Sequence, residues 1–127
     1  MRARDLAAYY QALLHNPAGV WKDDVLEDAK TNVRNTFPDP LMGVPANRTL
    51  GLVVAGDDGK AALRSNFGRT ASPGTFGHAG AAGQIAWADP ATGLSLGYCT
   101  NGIDANLLRE ARRSLAIASI AAEAATA

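Results

Sequence analysis

The chain has 127 residues, 47% of them hydrophobic and 19% charged, which suits one globular domain with a modest core. Twelve basic residues offset twelve acidic ones and are scattered, with only Arg112 and Arg113 adjacent, so no basic patch is offered to nucleic acid or an anionic membrane. A single cysteine, Cys99, excludes an internal disulfide framework and reads as a small buried strand residue.

Residues 1–5, Met-Arg-Ala-Arg-Asp, lack the apolar core of a signal peptide. Asp5 can cap a helix to about Leu14, with Leu6, Tyr9, Tyr10, Leu13 and Leu14 at helical spacings on one side. His15-Asn-Pro-Ala-Gly19 ends it. A second helix starts near Lys22 or Asp23 and runs to about Asn32. Val25, Leu26 and Ala29 are expected to face inward, and the acidic first turn complements the helix dipole. Residues 37–45 carry three prolines and a glycine and read as a loop. Residues 49–55 are rich in strand formers and precede the turn signal Gly56-Asp-Asp-Gly59. Residues 60–74 read as loop.

Residues 84–88 read as a strand with Ile85 and Trp87 on one face. Asp89-Pro-Ala-Thr-Gly93 is a short hairpin connection. The following strand, residues 94–100, puts Leu94, Leu96 and Tyr98 on one face and Ser95, Gly97 and Cys99 on the other. Asn101-Gly102 breaks it. A long helix then runs from about Asp104 to Ala122, with Leu108, Ala111, Leu115 and Ala118 at helical spacing. Arg109, Glu110, Arg112, Arg113 and Glu123 interrupt this alanine-rich end, so it is no membrane span and reads as a solvated helix face. A soluble cytoplasmic chain is the expectation. The order helix, helix, loop, three strands, helix predicts an α+β fold, with an antiparallel sheet and a helix on one face.

The segment Phe76-Gly-His-Ala-Gly-Ala-Ala-Gly83, followed by Asp89-Pro90 and Tyr98-Cys-Thr-Asn-Gly102, is similar to the last strands of serine β-lactamase and penicillin-binding-protein-like hydrolases, in their class C-like esterase branch. Ala3-Arg-Asp-Leu-Ala-Ala-Tyr-Tyr-Gln-Ala-Leu-Leu14 resembles a helix midway through such enzymes. The resemblance is specific over residues 76–102 and weaker elsewhere. It implies a partial β-lactamase/transpeptidase-like fold, with the antiparallel sheet packed against N-terminal and C-terminal helices. Residues 1–127 would be a single C-terminal segment, with a helical part and loop in 1–45 and the sheet and last helix in 46–127.

Three elements carry the family's chemistry: Ser-x-x-Lys for the nucleophile and its base, Tyr-x-Asn or Ser-x-Asn for proton transfer, and a Lys-Thr-Gly-like strand. The last is often His-x-Gly in the esterase branch; it lines the cleft and binds the substrate carbonyl. The resemblance puts His78-Ala79-Gly80 at this third position, as substrate-binding residues. The other two elements are missing. The lysines, Lys22, Lys30 and Lys60, are preceded three positions earlier by Gly19, Glu27 and Asp57. Tyr9, Tyr10 and Tyr98 are followed two positions later by Gln11, Ala12 and Thr100, and no serine stands two residues before an asparagine. A serine hydroxyl is a weak nucleophile without an adjacent base. The expectation is therefore a truncated hydrolase segment, inactive alone. Its parent would take a small ester or β-lactam-like amide through an acyl-enzyme.

Gly93-Leu-Ser-Leu-Gly97 matches the Gly-x-Ser-x-Gly nucleophile elbow in letters. That elbow needs a strand-to-helix turn and a later histidine, whereas Ser95 falls inside a strand and both His15 and His78 precede it. Gly77, Gly80 and Gly83 recur every third residue, but a strand follows them, so they form no phosphate loop. They read as positions of close backbone approach; a bulky side chain at Gly80 would block a ligand lying along the strand. Two distant histidines and one cysteine give no metal-ligand cluster, and no cofactor is expected. Trp21 and Trp87 read as core or rim residues. The alternative to a hydrolase segment is an interaction module, pairing through an exposed sheet edge with a separate N-terminal half or a second copy.

Overall fold

The computed structural model describes residues 1–81 and 83–124; Ala82, inside the glycine-rich stretch, lies outside the described residues. Its elements are α1 (Ala3–His15), α2 (Asp23–Thr31), β1 (Val53–Val54), a 3-10 turn (Ala61–Leu63), β2 (Phe76–Ala79), β3 (Ile85–Asp89), β4 (Leu94–Tyr98) and α3 (Leu107–Glu123). The four strands form one antiparallel sheet in the order β1-β2-β3-β4. This is an α+β arrangement.

Both faces of the sheet are covered, not one. Register places Phe76 opposite Ala88, His78 opposite Ala86, and Ala86 and Ala88 opposite Gly97 and Ser95. This face receives α1, whose Tyr10 and Leu13 pack with Leu26 of α2 and with Phe76, Ala86 and Ala88. The other face presents Val53, Ile85 and Trp87 with Leu94, Leu96 and Tyr98 to Phe67 and to Ala121 and Ala122 of α3. Being enclosed on both faces, β3 is buried at all five positions.

Two glycines let the helices approach. A Cβ on Gly97 would strike the Ala3 carbonyl and come within 2.9 Å of the Ala7 nitrogen, so α1 seats directly on β4 backbone. Gly68, at φ +91°, lies where a Cβ would sit 2.7 Å from the Ser119 nitrogen of α3. The α3 seam is correspondingly made of small residues: Ser114, Ala118 and Ala122 are buried. Leu107, Leu108 and Ile120 point to solvent instead, because Trp87 and Phe67 already fill that side of the sheet.

Several local expectations shift. Asp5 does not stand at the N-cap of α1; it occupies the third helical position, where its carboxylate accepts the Arg2 backbone N–H at 2.9 Å. Asn106 caps α3, accepting the Arg109 N–H at 3.0 Å. Tyr9 and Val25, expected inward, are about half exposed. Cys99 lies just past the end of β4 and is exposed. The strand expected over residues 49–55 is reduced to Val53 and Val54, because Thr49 folds the chain into a tight turn. Its N–H donates to the Leu52 carbonyl at 2.9 Å, and its hydroxyl oxygen accepts the Leu52 N–H at 3.1 Å. Arg48 is thereby bridged to Val53 on one side and to Asn35 on the other.

Candidate active site

Residues 78–80 close β2 and begin the turn into β3. The short β1 reaches only Phe76 and Gly77, so no strand of the sheet pairs with the outer edge of β2 at His78 and Ala79. The Gly80 N–H donates to the Gln84 carbonyl at 2.8 Å, toward β3. In the same peptide unit the Ala79 carbonyl points the opposite way, toward this uncovered edge. His78 and Gly80 are exposed and Ala79 is half-buried.

The His78 ring has two polar neighbours. Its Nδ1 lies 2.6 Å from the Ala79 carbonyl oxygen, and its Nε2 lies 3.2 Å from Arg48 Nη1. A groove of about 290 Å³ opens on the α1 side of His78 and Gly80, walled by Leu6, Tyr9, Tyr10, Gln84, Ile85 and Ala86. Its lining is almost entirely apolar, so it favours a hydrocarbon or aromatic occupant over a charged one. A Cβ on Gly80 would crowd the Gln84 side chain at 3.1 Å. Gly77 has a different duty: a Cβ there would strike the Ala86 carbonyl and the Trp87 side chain.

Tyr10 forms the groove's inner wall and stacks obliquely on Phe76, ring centroids 6.3 Å apart. Burial, and then the neighbouring Tyr9, push its phenol up to about 12, so at neutral pH it is a neutral hydroxyl and no base. Tyr9 stands edge-on to both Tyr10 and Trp21, which holds it upright at the groove mouth.

Ser95 is not brought to this place as a nucleophile. It lies within β4, half-buried, and its hydroxyl donates to the Ala7 carbonyl of α1 at 2.9 Å. The strand-to-helix elbow that would expose it is absent, and α1 covers it. Among the described residues no group of three or more His, Cys, Asp or Glu side chains is placed to hold a metal ion. No described helix is long and apolar enough to cross a membrane.

Arg48 was not singled out by sequence. It precedes the strand-forming run in a polar Pro-Ala-Asn-Arg-Thr stretch, and only the turn at Thr49 carries its side chain back to β2. Arg64, equally unsignalled, is buried at 3% exposure; it donates to the Pro45 and Ala55 carbonyls at 2.6 Å and pairs with Asp58. Arg64 braces the loop behind β1 and does not reach the groove lining.

The pattern of the family described as Beta-lactamase matches residues 1–119. The chain belongs to the β-lactamase family. Among solved structures it is similar to a β-lactamase from Mycobacterium bovis, with a TM-score of 0.74 and 26% identity. That alignment covers 98% of this chain and 44% of the other, so the chain spans less than half the length of that β-lactamase. No curated protein matches it. Membership agrees with the α+β arrangement of the sheet and helices.

Proposed function

We propose that this chain is the C-terminal, cleft-wall portion of a serine hydrolase of the esterase-like β-lactamase type. It is inactive alone and is completed by a segment outside these 127 residues that carries Ser-x-x-Lys and Tyr-x-Asn. The observation that carries this reading is the uncovered edge of β2 at His78-Ala79, flanked by an apolar groove, in a chain without the nucleophile motif. His78, Ala79 and Gly80 would line the acyl site. The extended backbone at Ala79 would hold the substrate along the strand, and Gly80 would leave room for it. The nucleophile would come from across the cleft, attacking an ester or β-lactam-type amide to give an acyl-enzyme. Backbone N–H groups beside the cleft are the kind of donor that stabilises the resulting oxyanion. The apolar lining favours an acyl group with a hydrocarbon or aryl body.

The test is treatment of the purified chain with a serine-acylating probe, read by intact mass. No adduct is expected. An adduct mapped to Ser95 would overturn the reading and make the chain a small self-sufficient enzyme. Co-expression with a family segment bearing Ser-x-x-Lys should then restore labelling, on that segment.

A second reading is favoured by one observation: β4 pairs only with β3, leaving its outer edge unpaired within the sheet. Such an edge is a template for another strand. A non-catalytic module would use it to pair with a separate N-terminal half or a second copy. Mass in solution discriminates: a monomer at high concentration that fails to bind any such half would sink it.

A further inference from the structure

The partners of His78 dictate where its ring proton sits. A guanidinium carries donors only, so Arg48 Nη1, at 3.2 Å, makes His78 Nε2 the acceptor. The proton is then on Nδ1, which donates to the Ala79 carbonyl at 2.6 Å. We propose that Arg48 is a positioning residue of the site: it favours the His78 tautomer protonated on Nδ1, so that the ring ties down the Ala79 carbonyl.

Three features support the assignment. The Arg48 backbone is pinned on both sides, its N–H donating to Asn35 and its carbonyl accepting from Arg34 and Asn35, while Val53 bridges it from β1. Among the described residues no carboxylate lies within ion-pair distance of the guanidinium, so it is not consumed by a salt bridge. Finally, β1 stops at Gly77, which leaves the place beside His78 and Ala79 for a side chain instead of a strand. With both ring nitrogens engaged, His78 has neither a free lone pair nor a free proton. It orients the edge and does not shuttle protons.

The catalytic meaning of this pairing rests on the proposed function; the protonation pattern does not. It can be read on the full chain alone, from the imidazole nitrogen shifts in NMR of isotopically labelled protein, at a pH well above the ordinary imidazole range. The expected result is an unprotonated Nε2 and a protonated Nδ1 at His78. The Ala79 carbonyl favours the same tautomer, so Arg48→Met should shift the ring only part of the way toward the opposite one, and Arg48→Lys, which keeps a cationic donor, should restore the original population. A wild-type His78 protonated on Nε2 overturns the proposal without any variant. So does an unchanged tautomer in a folded Arg48→Met protein; if that variant does not fold, the wild-type and Arg48→Lys spectra decide. Failure to reconstitute acylation with a Ser-x-x-Lys segment would remove the functional reading and leave the tautomer result standing.

Discussion

Single side chains set the pH limits of this fold. Asp58 is held down from 3.8 to about 2, first by its hydrogen bond from Arg64 and against a smaller desolvation effect. Its folded value is depressed, so its contribution is present above the ordinary carboxylate value and is lost as pH falls toward about 2. Asp104, lowered to about 2 chiefly by Arg109, adds to the same acid window. Acid titration followed by circular dichroism should show unfolding between about pH 4 and pH 2, and Asp58→Asn should flatten that transition. At the alkaline end Tyr10 has the opposite sign. Its folded value is raised to about 12, so stability is full below the ordinary 10 and is lost as pH rises toward 12. Tyrosinate absorbance should therefore show one late-titrating phenol, and Tyr10→Phe should remove it. Arg64→Met leaves the Pro45 and Ala55 carbonyls without their donor and should cost at least about 2 kcal/mol in urea denaturation. The network around Arg64 was not legible in the sequence. The partners of Arg64 stand 6, 9 and 19 residues away, and no local periodicity links them.

At the level of elements, α1, α2 and the β3–β4 hairpin were read closely because their signals are local, whereas β2, Phe76–Ala79, was not expected as a strand and the sheet has four strands, not three. The bounds of α2 and the β3–β4 hairpin follow from the acidic first turn of α2, turn residues and alternation. Misreadings arise where a partner decides. The run at residues 49–55 has strand composition, yet the Thr49 hydroxyl claims the Leu52 N–H and turns half of it away from the sheet. The apolar row on α3 suggested that Leu108 faces inward, yet the sheet beneath already holds Trp87 and Phe67, so alanines and a serine make the seam. Gly97 carries the clearest consequence. Gly97→Ala forces a methyl group into α1 backbone and should destabilise the protein by about 1–3 kcal/mol or more in chemical denaturation. Gly102→Ala, where a Cβ meets nothing within 4 Å, should stay within about 0.5 kcal/mol of the parent. Equal effects at the two positions would contradict the close seating of α1 on β4.

Across the whole molecule, the sheet is a gradient of enclosure. β3 has strands on both sides and packed layers on both faces, whereas β1 contributes two residues at one margin. Native-state hydrogen exchange should find the slowest amides at residues 85–89 and faster ones at Val53 and Val54. The proposed counterpart of the third family element, His78-Ala79-Gly80, could be picked out from its letters. Its setting, an uncovered edge with Arg48 folded back beside it, could not, because the turn that creates it is a tertiary event. The seating of α1 on β4 has one more consequence. The Ser95 hydroxyl and the Ala7 carbonyl that receives it are 88 residues apart. Helix α1 therefore keeps its apolar side unsheltered until β4 has been made. Docking it closes residues 7–95 into a single loop, a long-range event that should be slow compared with formation of the β3–β4 hairpin.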